Sequence, residues 1–209
     1  GSGLPDKNKD VTYRPITLPG RTFDDITGVH AHKNQPAIEA LASREIIDGK
    51  NENMFDPEAT MTRAEFAAIV VKSLGLEPVA KDKFTDVKSD EWYAPFVGTA
   101  VSYGIVNGTS ETVFNPNGTI TRQQAAAMVA RAAKLCGMET EIENSMVRDM
   151  LAQFGDYVKT DEWARESLAF CYSENILDQN DLDIRSNDNI LRCEVAQMLF
   201  NMLGAANLL

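Results

Sequence analysis

The sequence predicts an all-α protein built from three helix–loop–helix repeats that share one core. Residues 47–65 have a counterpart at 106–124, offset by 59 without a gap, and a shorter form of the pattern returns from residue 177. In every copy, apolar residues recur at three- and four-residue spacing, which is typical of helices with one buried face. A two-helix unit of about sixty residues has too little core to be stable alone, so we expect the three units to form one domain.

Composition excludes several classes of function. The 209 residues contain 20 Lys and Arg against 31 Asp and Glu, a net charge of −11. Such acidity disfavours nucleic-acid binding. No apolar run approaches the roughly 18 residues of a membrane-spanning helix, so we expect no membrane insertion. Ser/His/Asp, Cys/His and phosphate-loop motifs are missing, and we therefore predict that the chain is not an enzyme.

The sequence also gives no metal-binding pattern. Three cysteines (Cys136, Cys171 and Cys193) are too few and too scattered for a disulfide framework or a zinc site, and His30 and His32 lack a matching third ligand. The acidic stretch 178–183 does not fit the spacing of a calcium-binding loop. We expect no metal and no cofactor.

The repeats divide the chain into four segments. Residues 1–20 are predicted to be a cloning remnant, Gly1-Ser2-Gly3, followed by a proline-containing linker. Repeat 1 covers residues 21–80, repeat 2 covers 81–138 and repeat 3 covers 139–209. Repeat 3 is divergent, carries an inserted segment and is strongly acidic: residues 139–209 have a net charge of −9, against −2 for residues 1–138.

The first helix of each repeat is predicted from its apolar stripe. The stripe positions are Ala37, Ile38, Leu41 and Ala42 in repeat 1, Trp92, Phe96, Val97, Ala100 and Val101 in repeat 2, and Trp163, Ser167, Leu168, Cys171 and Tyr172 in repeat 3. The loops that follow are rich in Gly, Asn, Asp and Pro, which indicates compact turns.

The second helix of each repeat has a readable start. Thr62-Arg63-Ala64-Glu65 is a capping box, in which the threonine hydroxyl and the glutamate satisfy each other's backbone N–H groups. Residues 121–124 keep this chemistry, whereas Leu191 breaks it in repeat 3 at a cost of about 1 kcal/mol. We predict that these helices end at Gly75, Gly137 and Gly204. The inserted segment is predicted to form a short helix at 146–151.

The repeated pattern resembles the S-layer homology family from residue 23 to about 204. The resemblance is carried by Phe23-Asp24-Asp25, Thr62-Arg63-Ala64-Glu65, Trp92, Phe114-Asn115-Pro116 and Thr121-Arg122, with Arg192 and Glu194 surviving in repeat 3. It implies a pseudo-threefold trefoil around a central three-helix bundle. It also implies an extracellular module that anchors a bacterial surface protein non-covalently to a secondary cell-wall polymer, often one that carries pyruvylated sugars.

The resemblance implies ligand-binding residues in grooves between the repeats. The arginines are Arg63, Arg122 and Arg192, and the loop glycines are Gly49 and Gly108. The aromatic residues that would stack on a sugar are Trp92 and Trp163, and repeat 1 has Lys33 at the same position. The chemistry is sensible on its own, because an Arg at a helix start offers a planar donor fork beside unsatisfied backbone N–H groups. A pyruvyl carboxylate would suit such a site.

Structural interpretations stand beside these functional ones. An Arg after a helix cap often points into solvent or pairs with an acid, and we expect the two tryptophans to serve as core anchors more readily than as ligand platforms. Asp25, Asp86 and Asp156 are expected to cap turns.

Two functions compete. The first is a carbohydrate-binding anchor, in which the charge distribution predicts active grooves at Arg63 and Arg122 and a weak one at Arg192. The second is a protein–protein assembly module of a surface lattice, which would self-associate without binding glycan.

Overall fold

The computed structural model describes residues 7–209, and the predicted cloning remnant at residues 1–3 lies outside that range. Its regular structure consists of four short 3₁₀-helices and seven α-helices: α1 (Gln35–Ser43), α2 (Arg63–Ser73), α3 (Ala94–Ser102), α4 (Arg122–Leu135), α5 (Asn144–Leu151), α6 (Arg165–Ser173) and α7 (Arg192–Ala205). None of these helices has both the length and the apolar stretch that crossing a bilayer requires. Within residues 7–209 pairing of β type is limited to isolated bridges, so the all-α prediction is confirmed.

The helices follow a cyclic arrangement around α2, α4 and α7. Each outer helix packs against the inner helix of the preceding repeat, so that α3 contacts α2, α6 contacts α4 and α1 contacts α7. The inner helices are buried on nearly all sides, and 10 of the 14 residues of α4 are buried. A helix buried all round belongs at a centre. This agrees with the predicted trefoil around a three-helix bundle.

Isolated bridges repeat the threefold pattern at the junctions between repeats. They pair Thr62 with Thr119, Thr121 with Asn189, and Thr60 with Leu191. Each repeat therefore meets both of the others, and repeat 3 returns to repeat 1. The ring is closed by contacts between residues far apart in sequence.

An aspartate in each repeat organises the loop before the inner helix. Both carboxylate oxygens of Asp86 accept backbone N–H groups, from Phe114 at 2.9 Å and Asn115 at 2.8 Å. Asp25 and Asp156 do the same for residues 55–56 and 184–185. The second residue of each pair has a positive φ near 60°. The predicted turn-capping role of these aspartates is confirmed.

The helix ends agree with the sequence in most places. Thr121 and Gln124 form the complete capping box, and Thr62 accepts the N–H of Glu65. Leu191 offers no side-chain acceptor, yet its own N–H donates to Glu194 Oε1 at 2.9 Å, so half of the box survives in repeat 3.

Glycine ends two of the inner helices but not the third. Gly75 and Gly137 have φ values of 63° and 89° and follow the ends of α2 and α4. The predicted stop at Gly204 is wrong, because α7 runs through it to Ala205 and the left-handed residue is Asn207, with φ at 60°. The inserted segment forms α5, which packs against α6 and confirms the predicted extra helix.

The segment before repeat 1 is attached to the ring from residue 8 onwards. Asn8 N donates to Leu135 O at 2.8 Å, and Thr12 N donates to Leu74 O at 2.9 Å. Val11 is 2% exposed and belongs to the core. This segment therefore connects the carboxyl ends of α4 and α2.

Candidate functional site

The three helix-start arginines are buried between repeats. Arg63, Arg122 and Arg192 are 8%, 4% and 4% exposed. Each Nε donates to a backbone carbonyl of the next repeat: Arg63 to Phe114 at 2.9 Å, Arg122 to Ile184 at 3.0 Å, and Arg192 to Phe55 at 3.0 Å. We expected such an arginine to point into solvent or to pair with an acid. None of the three points into solvent, whereas Arg122 and Arg192 do pair with glutamates. All three join the repeats into the ring.

Two of these guanidinium groups make a second carbonyl bond. Arg63 Nη2 donates to Asn107 O at 2.7 Å, and Arg192 Nη2 donates to Asp48 O at 2.6 Å. The Arg63 and Arg192 guanidinium carbons lie 4.8 and 4.6 Å from phenylalanine ring centroids. Burial lowers the pKa of both groups below the ordinary arginine value. An arginine pKa starts so high that both groups stay charged at neutral pH.

The backbone N–H groups at the inner helix starts are already occupied. Arg63 N donates to Gly118 O at 2.8 Å and Ala64 N to Pro116 O at 3.0 Å, and the same two positions of α4 and α7 donate to residues 188, 186, 59 and 57. The neighbouring repeat therefore satisfies them. The expectation of free N–H groups is therefore wrong for the first two residues of each inner helix.

The third nitrogen, Nη1, distinguishes the three arginines. Arg122 Nη1 forms an ion pair with Glu194 Oε2, which also accepts Arg185 Nη2 at 2.6 Å. Arg192 Nη1 lies 3.5 Å from Glu65 Oε2, a much looser contact. Arg63 has no ion pair with any carboxylate in residues 7–209.

The Arg63 cleft is lined by positive charge and is more cationic than the Arg122 cleft. It has a volume of about 220 Å³ and is lined by Arg63, Asn107, Gly108, Thr109, Gln124, Ala127, Met128, Arg131 and Trp163. Two arginines and no carboxylate are in this lining. An anion entering it meets two positive charges and the apolar face of an indole, and the nearby carboxylate of Asp86, which interacts with Arg63, lies outside the lining.

The Arg122 cleft has different chemistry. Its volume is about 420 Å³, and the charged residues that line it are Lys33, Arg122, Arg185, Asp178, Asp181 and Glu194. Burial raises the pKa of Asp181, although Arg122 opposes the shift. Positive and negative charges are equal in number. The side chain at the tryptophan position is Lys33, which places the missing stacking platform here.

The Arg192 cleft is traced by a chain of contacts. Arg192 Nη2 meets Asp48 O, Lys72 Nζ lies 3.8 Å from Asp48 Oδ2, and the same ammonium lies 5.2 Å from the centroid of the Phe96 ring. Trp92 stacks obliquely on Phe96, with ring centroids 6.4 Å apart. A lysine and a tryptophan are thus connected to Arg192 through Asp48 and Phe96. In the Arg63 and Arg122 clefts all three repeats contribute: one gives the arginine, the next gives the loop, and the third gives the residue at the tryptophan position.

The two tryptophans are not core anchors. Trp92 and Trp163 are each 57% exposed and precede the helices α3 and α6. Tyr93 and Ala164, the residues next to them, take the buried positions. An exposed indole at the mouth of a cleft is available to cover a sugar face. The prediction that these tryptophans anchor the core is therefore wrong.

Gly49 and Gly108 have a packing reason for lacking a side chain. A Cβ on Gly108 would lie 2.5 Å from Phe84 Cε1 and 2.5 Å from Ser110 O, and one on Gly49 would lie 2.4 Å from Phe23 Cε1. The loop backbone therefore rests directly on a core ring. Gly108 also lines the Arg63 cleft, so close packing and cleft shape depend on the same residue.

One group of possible metal ligands lies between repeats 1 and 3. Ligand atoms of His32, Glu58 and Cys193 lie within 4.8 Å of one another. His32 Nδ1 accepts the N–H of Asn34 at 3.0 Å, so in the neutral ring Nε2 carries the proton, which it donates to Glu58 Oε1 at 2.9 Å. In that tautomer the imidazole has no free lone pair for a cation, and the group works as a hydrogen-bonded seam. Sequence spacing gives no signal for it, since Cys193 is 161 residues from His32.

Known proteins share this pattern. The sequence model of the S-layer homology domain family matches residues 22–67 and 83–126. An exoglucanase of Acetivibrio thermocellus is 30% identical over 188 residues, which cover 89% of this chain and 16% of the enzyme. A surface-layer 125 kDa protein of Lysinibacillus sphaericus is 30% identical over 153 residues, 73% of this chain and 12% of that protein.

An S-layer protein of Bacillus anthracis is similar over most of the chain as well. It is 28% identical over 194 residues, which cover 88% of this chain and 22% of that protein. The chain thus spans less than a quarter of the length of these relatives. The matched ranges contain Arg63, Gly49, Trp92, Gly108 and Arg122, five of the predicted site residues. The chain contains S-layer homology domains at residues 22–67 and 83–126, the ranges that the sequence model of this family matches.

Proposed function

We propose that this chain anchors a surface protein non-covalently to the bacterial cell wall by binding an anionic wall polysaccharide, with a pyruvylated sugar as the recognised unit. The S-layer homology domains and the relatives named as surface-layer proteins support an extracellular, cell-wall location. The enzyme named among the relatives matches over only 16% of its length, so its name supplies no reason to assign catalysis to this chain.

The charge of the Arg63 cleft is the observation that carries the proposal. Arg63 and Arg131 supply positive charge, Trp163 supplies an apolar face, and no carboxylate lines the cleft. A pyruvyl ketal presents a carboxylate fixed to a sugar ring, which needs both kinds of contact at once. The Arg192 cleft, with Trp92, is the second candidate, whereas the Arg122 cleft lacks the indole and is charge-balanced.

The net charge of −11 does not prevent this binding. Repulsion between exposed charges is screened within about 8 Å at physiological salt. The acidic excess is in repeat 3, while the cationic lining of the Arg63 cleft comes from repeats 1 and 2. The residues that line the cleft therefore carry a net positive charge, opposite in sign to that of the whole chain.

Sedimentation with purified cell-wall sacculi tests the proposal. We expect the parent chain to pellet with sacculi and to stay in solution after the pyruvyl groups are removed by mild acid. The variant Trp163→Ala with Arg131→Gln should lose most of its binding. It loses the 3.3 Å bond from Arg131 Nη1 to Ile105 O, but both side chains are exposed, so we expect it to stay folded. Arg148→Gln is the matched control, because Arg148 is exposed on α5 and does not line the cleft. Equal pelleting of both variants would show that the Arg63 cleft is not the site.

The alternative is an assembly module, favoured by the relatives named as S-layer proteins. It predicts self-association that does not depend on glycan. Sedimentation velocity at rising concentration distinguishes the two, because an anchor that stays monomeric and binds sacculi does not form a lattice by itself.

A further inference from the structure

The third residue of each inner helix faces the arginine of the preceding repeat, and its identity differs among the clefts. It is Glu65 in α2, Gln124 in α4 and Glu194 in α7. Gln124 Oε1 accepts the N–H of Thr121 at 3.0 Å, and Glu194 Oε1 accepts that of Leu191 at 2.9 Å. This bond fixes one end of the side-chain head group, so the other end, amide nitrogen or carboxylate oxygen, is presented to the cleft.

In the Arg122 cleft this second atom occupies the arginine. Glu194 Oε2 pairs with Arg122 Nη1 and accepts Arg185 Nη2 at 2.6 Å, and the Glu194 side chain is only 16% exposed. The carboxylate thus holds two guanidinium groups in the position that a ligand carboxylate would need. A second anion there would have to displace a buried, doubly paired one.

In the Arg63 cleft the corresponding atom is a donor. Gln124 and Arg63 both line the cleft, and within residues 7–209 the Gln124 amide nitrogen donates to no side chain or backbone group. Amide N–H groups and a guanidinium N–H therefore face the same space. An incoming carboxylate could accept from both without displacing anything.

The Arg192 cleft is intermediate. Glu65 Oε2 lies 3.5 Å from Arg192 Nη1, and Glu65 Oε1 accepts the hydroxyl of Thr62 at 3.0 Å. The carboxylate is close enough to repel an anion but is not locked onto the arginine. At this helix position the three clefts thus form a graded series, from an unpaired amide through a loosely placed carboxylate to a paired one.

We propose that this helix position decides which cleft accepts a carboxylate: Gln124 leaves the Arg63 cleft open, Glu194 closes the Arg122 cleft as an internal carboxylate, and Glu65 partly closes the Arg192 cleft. This inference rests on the proposed function and specifies it. It reverses the ranking expected from the charge of the repeats, which made the Arg122 groove active and the Arg192 groove weak.

The test uses calorimetric titration with a methyl glycoside that carries a pyruvyl ketal, and with the same glycoside lacking the ketal. Gln124→Glu is nearly isosteric and keeps the oxygen that caps Thr121, so we expect a normally folded protein whose affinity for the ketal is at least about tenfold lower. Lys134→Gln changes the net charge by the same amount at the exposed far end of α4, and we expect its affinity to stay within about twofold of the parent.

Glu194→Gln supplies the reciprocal change. Replacing the internal carboxylate by an amide should open the Arg122 cleft and raise the number of ketal molecules bound per chain by one. Thermal unfolding of the same sample shows whether this variant is folded, since it loses the pairs with Arg122 and Arg185. If Glu194→Gln is not folded, Gln124→Glu still tests the inference.

The outcomes separate the inference from the function it rests on. If the parent binds the ketal glycoside and Gln124→Glu binds it equally well, the gating role is wrong while anchoring through a carboxylate stands. If the parent does not bind the ketal glycoside at all, both fall. Lower affinity of Gln124→Glu for the ketal glycoside, together with unchanged affinity of Lys134→Gln, supports the inference.

Discussion

Arg192 closes the ring, and replacing it with alanine should destabilise the whole domain. Its guanidinium donates to Phe55 O at 3.0 Å and to Asp48 O at 2.6 Å, across more than 130 residues of sequence. The side chain is 4% exposed, so water replaces these bonds only if the junction opens. Arg192 thus joins the last repeat to the first.

The magnitude follows from these contacts. A hydrogen bond to a charged group contributes about 1.5–3 kcal/mol, and two carbonyls left without a donor add a desolvation cost that removal of the buried charge partly offsets. We expect Arg192→Ala to lower the free energy of unfolding by about 3–5 kcal/mol. The free energy of unfolding of Arg192→Lys should lie between those of Arg192→Ala and the parent, because one ammonium group cannot reproduce the planar guanidinium that donates to both carbonyls.

Urea unfolding followed by far-ultraviolet circular dichroism measures the effect. Arg148→Ala is the control, since this exposed arginine should change stability by no more than about 0.5 kcal/mol. A loss below about 1 kcal/mol in Arg192→Ala would refute the reasoning, because the carbonyl bonds would then be exchangeable for water at little cost.

Two further predictions concern packing and buried thiols. Gly108→Ala should cost about 1–3 kcal/mol in urea unfolding, because its Cβ would lie 2.5 Å from Phe84 Cε1, whereas Gly155→Ala should be nearly neutral, since the nearest atom to its Cβ is 3.8 Å away. Burial raises the pKa of Cys193 to about 11 and of Cys136 to about 12. At pH 8 only about 0.1% of the Cys193 thiol is thiolate, so Ellman's reagent should react fully only after unfolding. Raised thiol pKa values stabilise the fold below pH 9, and that contribution should be lost as pH rises towards 12. Rapid reaction of the native thiols, or stability that is flat across this range, would contradict the account.

The helix starts could be predicted because their signals are local. Thr62 and Thr121 each accept the N–H of a residue only three positions later. The apolar residues that predict the inserted helix lie within its eight residues. Local chemistry was enough for these elements. It failed at Gly204, where two alanines follow and the helix continues to Ala205.

The burial of the arginines could not be predicted from the same signals. The carbonyl acceptor of Arg63 Nε is 51 residues away, and that of Arg192 is 137 residues away. A carbonyl carries no sequence signature, so nothing near the arginine marks its partner. The predicted burial of the two tryptophans is wrong for a related reason. Three- and four-residue spacing extends the apolar stripe to residues that lie before the helix begins.

The pairing of residues within each cleft also depends on the cyclic order of the repeats. Lys33 replaces a tryptophan in repeat 1 but lies in the Arg122 cleft. Sequence alignment of the repeats shows the substitution, and only the three-dimensional arrangement shows which arginine it affects.

Fluorescence of single-tryptophan variants tests the central claim most directly, since the chain has only two tryptophans. Trp92→Phe leaves Trp163 in the Arg63 cleft, and Trp163→Phe leaves Trp92 beside the Arg192 cleft. We predict that a glycoside carrying a pyruvyl ketal changes the emission of Trp163 in a saturable way, with little change in Trp92 at the same concentrations. Saturable change in Trp92 alone, or no change in either, would contradict binding in the Arg63 cleft.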